Sequence, residues 1–215
     1  MIDAVIVGYA RSPFHPAVRG ALAKTRPDDL AANTIRGLIE RTGVNPADIE
    51  DIVMGCAFPE GEQGFNIARL VGLLADLPLS VSGITMNRFC GSSMSSVHYA
   101  AGQIAIGAGE VFICAGVEAM SRVPMTGFNP MPNPALAAKS AAYVGMGDTA
   151  ENLAAKYSIA RADQEAFAVS SQQKAGAAVA AGKLADEIIP IQTKAGLVSA
   201  DGTPRPDTTA EAWQA

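Results

Sequence analysis

The stretch Val81-Ser82-Gly83-Ile84-Thr85-Met86-Asn87-Arg88-Phe89-Cys90-Gly91-Ser92-Ser93-Met94 joins two kinds of backbone. Its first six residues have the β-branched content of a short strand. From Met94 to Ala108 the chain lacks proline and is rich in Ala and Ile, which predicts a helix. A cysteine sits at the junction, followed by Gly and two Ser. A thiol placed there lies at a helix N-terminus, where unpaired N–H groups and the helix dipole stabilise a thiolate. Cys90 is therefore a candidate nucleophile. A buried structural cysteine is the other reading, because free Cys is among the most buried residue types.

Strand and helix signals alternate on both sides of this junction. Ala4-Val5-Ile6-Val7-Gly8 is a continuous apolar run of the kind that forms a strand covered on both faces. Pro27-Asp28-Asp29-Leu30 has the proline and acids of a helix start. Leu30, Thr34, Ile35, Leu38 and Ile39 then fall on one face, and Gly43 is a stop. Ile49 to Gly55 predicts a second strand, Ile67 to Ala75 a helix and Val111 to Gly116 a fourth strand. This alternation predicts an α/β fold with a parallel sheet and helices on its faces. After about Val123 the character changes, with Pro124, Pro130, Pro132 and Pro134 clustered among Gly and Asn. That is loop chemistry, an excursion from the sheet. Helices are expected from Asp148 or Thr149 to Tyr157 and from Arg161 to Ala181, then a short strand at 187–191 and little regular structure beyond Lys194. Asp207 to Trp213 reads as a capped helix beginning that the chain ends within.

Composition narrows the function classes. With 215 residues, 49% of them apolar, the chain can bury a sizeable core. The net charge of -5 and the lack of a Lys/Arg cluster argue against a nucleic-acid binder. The three cysteines, Cys56, Cys90 and Cys114, are too sparse for a disulfide framework and indicate a reducing, cytoplasmic setting. There is no signal-peptide pattern at the start and no apolar run near the ~20 residues of a membrane span. No metal-ligand spacing, dinucleotide fingerprint or phosphate-binding loop is present.

A nucleophilic thiol needs a base. The two histidines do not supply one. His98 is expected about 12 Å down the helix from Cys90, and His15 lies in a proline-flanked loop. Glu118 follows the fourth strand at its C-terminal end, where sheet ligands bind; a carboxylate satisfied by backbone donors is the stronger reading. Met120, Met125, Met131 and Met146 surround the loop region and suit either core filling or a flexible acyl partner.

Taken together, these segments resemble a thiolase. The Asn87–Met94 motif, Arg11-Ser12-Pro13, Gly55-Cys56-Ala57, Asn66-Ile67-Ala68-Arg69, Gly116–Ser121, Met146–Asn152 and Asp163–Ala168 followed by Ser171-Gln172 fall in that family's order. The resemblance covers essentially the whole chain. It is strongest to the degradative 3-ketoacyl-CoA thiolases of fatty-acid β-oxidation, through Glu62-Gln63-Gly64-Phe65-Asn66, Ser93 and Gly145. A biosynthetic acetoacetyl-CoA thiolase and a non-catalytic fragment or interaction module are the alternatives. The resemblance implies a βαβαβαβ half with an inserted loop domain, divided here as 1–120 and 121–215. It implies Cys90 as nucleophile, Met146 beside the pantetheine and acyl group, and Arg205 near the nucleotide of coenzyme A. It implies coenzyme A as substrate, no permanently bound cofactor and no metal. A homodimer or dimer of dimers, and a hydratase/dehydrogenase partner subunit, are further expectations. The catalytic His, a water-orienting Asn and a second Cys are expected in a second half that these residues do not match, so the chain alone is expected to be incomplete. Two departures stand out: Ala160 occupies a position where relatives often cap the next helix with Ser, and Asp148 stands where an uncharged residue is common.

Overall fold

The computed structural model describes residues 3–209. Its centre is a parallel sheet of β1 (Asp51–Gly55), β2 (Ser82–Met86) and β3 (Phe112–Gly116), in the order β2-β1-β3. The register pairs Val53 with Ile84 on one side and with Cys114 on the other. Helix α1 (Pro27–Thr42) and α2 (Ile67–Leu74) pack together, and α2 lies on β1 and β2. The third helix, α3 (Ser92–Ala105), packs on β1 and β3. Alternation along β1 sorts its side chains. Ile52 and Met54 are fully buried in the α1/α2 core with Ile67, Val71 and Ile35.

Each helix boundary follows from its residues. Pro27 opens α1, Asp28 takes a paired contact from Arg26 at 3.0 and 2.6 Å, and Gly43 closes it in the left-handed region at φ 67°. At the start of α2, Asn66 makes no capping bond; it donates to Gly83 O at 2.8 Å and accepts from Thr85 Oγ1 at 2.8 Å. Those bonds, with Arg69 on Val81 O, cover the outer edge of β2. Among the described residues the outer edge of β3 has no strand partner. That edge opens onto a cleft of about 470 Å³ lined by Pro13, Leu30, Thr34, Leu38, Val97 and Cys114.

Several expectations are corrected. Residues 4–8 are not a covered strand: Val5, Ile6 and Val7 are 75–80% exposed. The apolar run is there, but a strand also needs a ladder, and no described segment pairs with it. Tyr9 O accepts from Arg41 Nη1 at 3.4 Å, and pairing with other backbone begins at Arg11, whose N–H donates to Glu187 O at 2.8 Å and whose C=O accepts from Ile189 N at 2.8 Å. The expected strand at 187–191 is instead a single bridge between Arg11 and Ile188, after which β4 (Ile191–Thr193) forms an antiparallel hairpin with β5 (Gly196–Val198). The helix from Asp148 or Thr149 begins earlier, as α5 (Met146–Tyr157) with Gly145 at its cap; Thr149 Oγ1 donates back to Gly145 O at 3.0 Å. Within the proline cluster a short α4 (Pro134–Lys139) forms, capped by the Asn133 side chain. The last helix, α6 (Arg161–Ala180), starts after Ala160 without a side-chain cap. The helix expected from Asp207 to Trp213 falls largely outside the described residues.

By internal contacts the chain divides into two units. One contains residues up to Phe128 and Glu187–Thr203; the other contains Asn129–Asp186 and the described residues from Pro204. The division expected at 120 and 121 therefore differs, because 187–203 belong with the first unit. Burial of Ile188 and Ile191 is one physical reason, and Arg11 is the other. Its guanidinium meets Asp201 through two bonds of 2.7 Å and Glu187 through one of 2.6 Å. Asp201 also accepts from Phe14 N at 2.7 Å and keeps only 8% of its side chain exposed.

The Arg11 contact holds the Asp201 carboxyl below the usual carboxylate range, against the opposing effect of burial. A lowered folded pKa means stability that is fully present above the unfolded value of about 3.9 and fades as pH falls through the folded one. Asp201→Asn is expected to cost about 1–3 kcal/mol at neutral pH. Urea unfolding followed across pH should show the gap to the unsubstituted chain closing below about pH 4. A gap that persists unchanged to pH 2 would contradict the assignment.

Candidate active site

The C-terminal ends of all three parallel strands meet at one end of the sheet, and the loop leaving β2 carries Cys90. This loop is held by its own short side chains. Asn87 Oδ1 accepts from Phe89 N at 2.8 Å, Ser92 Oγ donates to Phe89 O at 2.6 Å and accepts from Arg88 N at 2.9 Å. Phe89 is thereby fixed in the left-handed region at φ 46°, a conformation that costs an L-residue roughly 1–2 kcal/mol. Its ring leans on Phe58, 5.9 Å between centroids. A turn of 3₁₀ helix over Phe89–Gly91 then runs directly into α3. Cys90 sits in that turn and is exposed.

The start of α3 rests directly on the strand ends. A Cβ added at Gly55 would lie 2.5 Å from the backbone of Ser92 and Ser93, and one at Gly116 would strike the Ser93 hydroxyl. Only glycine permits this approach. Ser92 and Ser96 are buried in the same contact, Ser96 donating to Ser93 O at 2.6 Å.

The other two cysteines have different surroundings. Cys56, at the end of β1, is buried; burial first, then the nearby Glu118 charge, pushes its thiol up to about 11. Cys114, in β3, is exposed as a residue, although desolvation around its sulfur raises the thiol, and its Sγ lies 3.6 Å from Ser96 O. Glu118 accepts from Ala57 N at 2.7 Å and from Gln63 Nε2 at 2.7 Å, so it is a carboxylate held largely by loop donors. His15 bridges Ala200 O at 3.1 Å and Ala21 N at 3.4 Å, which pins a loop. Within its own unit, among the described residues, Cys90 Sγ has no imidazole or carboxylate hydrogen-bonded to it.

The remaining predicted site residues lie in the other unit. Met146 is the first residue of α5 and is 70% exposed. The Arg205 backbone N–H donates to Gln172 Oε1 of α6 at 2.7 Å. Among the described residues no group of three His, Cys, Asp or Glu is placed to hold a metal ion, and no helix is long and apolar enough to cross a membrane. Sequence reasoning assigned no role to Gln63, Asn87 or Ser92. Asn after a strand and Ser before a helix are signals for side chains that bond local backbone. The burial of Gln63 has no comparable signal.

An exposed cysteine in a strained turn that enters a helix, seated on strand-end glycines, is the geometry of a presented nucleophile. The family model described as "Thiolase, N-terminal domain" matches residues 4–215. The chain belongs to the thiolase family. It is 45% identical over 225 residues to the 3-ketoacyl-CoA thiolase of Bacillus subtilis (strain 168), covering 98% of this chain and 58% of that protein. It is 44% identical over 217 residues to the enzyme of the same name from Saccharophagus degradans, covering 98% of this chain and 55% of that one. The 3-ketoacyl-CoA thiolase of Colwellia psychrerythraea is 41% identical, with 100% of this chain and 57% of the relative covered. The chain thus spans little more than half the length of these relatives.

The seat predicts opposite outcomes for two glycines of the thiolase chain. Gly55→Ala forces the α3 backbone away and is expected to destabilise by about 1–3 kcal/mol. Gly102→Ala, inside α3 where an added Cβ meets nothing, is expected to stabilise by roughly 0.5–1 kcal/mol. Thermal unfolding of the two variants checks both signs. Equal, small effects would remove the seat from the account.

Proposed function

We propose that this chain carries the nucleophilic half of a 3-ketoacyl-CoA thiolase, with Cys90 as the acyl-accepting residue. The single observation that carries the reading is the exposed Cys90 held in the strained Asn87–Ser92 turn at the head of α3. The names of the similar proteins support the substrate class.

In this reading the Cys90 thiolate attacks the 3-keto carbon of a 3-ketoacyl-CoA. The Cys90 N–H is one of the donors for the resulting oxyanion. Collapse breaks the C2–C3 bond, and acetyl-CoA leaves as its enolate, which an acid protonates. Attack of free coenzyme A on the Cys90 thioester then releases the shortened acyl-CoA and returns the thiolate. One difficult carbon–carbon cleavage becomes two easier steps. Met146 and Arg205 are the proposed contacts for the pantetheine and nucleotide ends of coenzyme A. The same resemblance supports a place in fatty-acid β-oxidation, a cytoplasmic setting, a homodimer or dimer of dimers, and a hydratase/dehydrogenase partner. With no base bonded to Cys90 within its unit among the described residues, the chain is expected to accept an acyl group without turning over.

A second reading, a module that functions by association, is favoured by the exposed Val5, Ile6 and Val7 and the open β3 edge.

The test is to incubate the chain with acetoacetyl-CoA or a longer 3-ketoacyl-CoA and map acylated peptides, alongside a coenzyme A-dependent cleavage assay. The expected result is a thioester on the Cys90 peptide, lost in Cys90→Ala, with little or no turnover. No label at Cys90 would overturn the nucleophile. Sustained turnover by the chain alone would overturn its incompleteness.

A further inference from the structure

Parallel strands tie themselves together through their ladder, but the loops leaving their C-terminal ends share none of those bonds. Here the three loops are joined by a separate chain of hydrogen bonds. It starts at Gln63, which is fully buried. Its amide donates to Phe58 O at 2.8 Å and to Glu118 Oε1 at 2.7 Å, and its carbonyl accepts from Ala119 N at 2.7 Å. Its Nε2 also lies 3.4 Å from Cys56 Sγ. Both donor hydrogens and the acceptor are therefore used, and the buried amide has one orientation that serves all four partners. That orientation fixes Glu118, whose other oxygen accepts from Ala57 N at 2.7 Å. The carbonyl of the same residue accepts from Asn87 Nδ2 at 2.9 Å. Asn87 then holds Phe89 N at 2.8 Å, one residue before Cys90.

We propose that Glu118 and Asn87, oriented by buried Gln63, are positioning residues that hold the Cys90 turn in its strained form through the Ala57 peptide. The inference rests on the reading of Cys90 as nucleophile. Phe89 at φ 46° needs an external hold, because the left-handed region is unfavourable for a residue of its type. Ser92 holds the carbonyl side of Phe89, and Asn87 holds the N–H side. Asn87 is exposed and has freedom to turn unless its amide is anchored, and the anchor is the Ala57 carbonyl. Ala57 in turn is held by Glu118. The relay carries no proton and touches no substrate. Its work is to keep the sulfur on the line of attack at a thioester or ketone carbon, where alignment matters more than it does for a small alkylating reagent.

Three chains are compared with the unsubstituted protein: Asn87→Ala, Glu118→Gln and, as a stability control remote from the turn, Asp201→Asn. Glu118→Gln keeps shape but sets a donor against one of two donors, Ala57 N or the Gln63 amide. The first readout is the ratio of acyl transfer from acetyl-CoA to alkylation by iodoacetamide, both at Cys90. It is expected to fall about tenfold to a hundredfold in the two relay variants and to stay level in the control. The second is amide exchange by NMR at Phe89. Glu118→Gln, which does not touch Phe89, is expected to speed that exchange about tenfold while β1 amides keep their protection. Unchanged Phe89 exchange in Glu118→Gln would overturn the relay. Faster exchange with an unchanged ratio would overturn its positioning role. Absence of acyl transfer in the unsubstituted protein would sink the nucleophile reading by itself, and Phe89 exchange would still decide whether the relay exists.

Discussion

The fold depends on how closely the first turn of α3 approaches the sheet. Ser92 and Ser93 lie against the ends of β1 and β3, where Gly55 and Gly116 leave no side chain in the way. This contact decides where the chain must turn after β2. With the helix start fixed below and the strand end fixed behind, five residues must reverse direction in a tight space. The cost is Phe89 in the left-handed region, offset by bonds from Asn87 and Ser92. Cys90 is left at the crest, exposed, as a consequence of packing several residues away.

The same arrangement separates the three thiols. Cys56 lies on the core side of the strand end, beside a carboxylate, and both burial and charge oppose its ionisation. Cys114 is opposed by burial. The core also ranks the elements by how firmly they are held. Ile52, Met54, Ile67 and Val71 are buried between the sheet and α1/α2, whereas α4, α5 and α6 have no buried residue. Segment 187–203 joins the first unit both by the charged contacts of Arg11 and by burial of Ile188 and Ile191.

The sheet and its covering helices were legible because their signals are local. Pro27 and Gly43 bracket α1 to the residue, and the β-branched run before Cys90 became β2. The exposed turn that carries Cys90, the proposed nucleophile, was legible for the same reason, as strand, cysteine and small residues adjoin in sequence. What failed needed partners distant in sequence. Residues 4–8 have the composition of a strand and no ladder among the described residues. Beyond Lys194 the sequence predicts little regular structure, yet Asp201, together with Glu187 of the expected short strand, meets Arg11 across more than 170 positions. The place of Gln63 was hidden likewise: a polar residue in a loop gives no sign that folding will bury it under two other loops, whereas Glu118 reads as a carboxylate held by backbone donors and does accept from Ala57 N. The caps of α5 and α6 show the opposite lesson. Both helices form with Gly145 and Ala160 at their caps and no side-chain bond there, so the absence of a cap signal did not mean the absence of a helix.

The central claim is that packing presents the Cys90 sulfur in a strained turn, while burial opposes ionisation of the enclosed Cys56 and also of Cys114, which is itself exposed. Iodoacetamide labelling of the folded chain at neutral pH, followed by peptide mapping over time, tests it most directly. Modification of Cys90 well ahead of Cys56 and Cys114 is the predicted result. Modification of either of those two first, with Cys90 intact, would contradict the account.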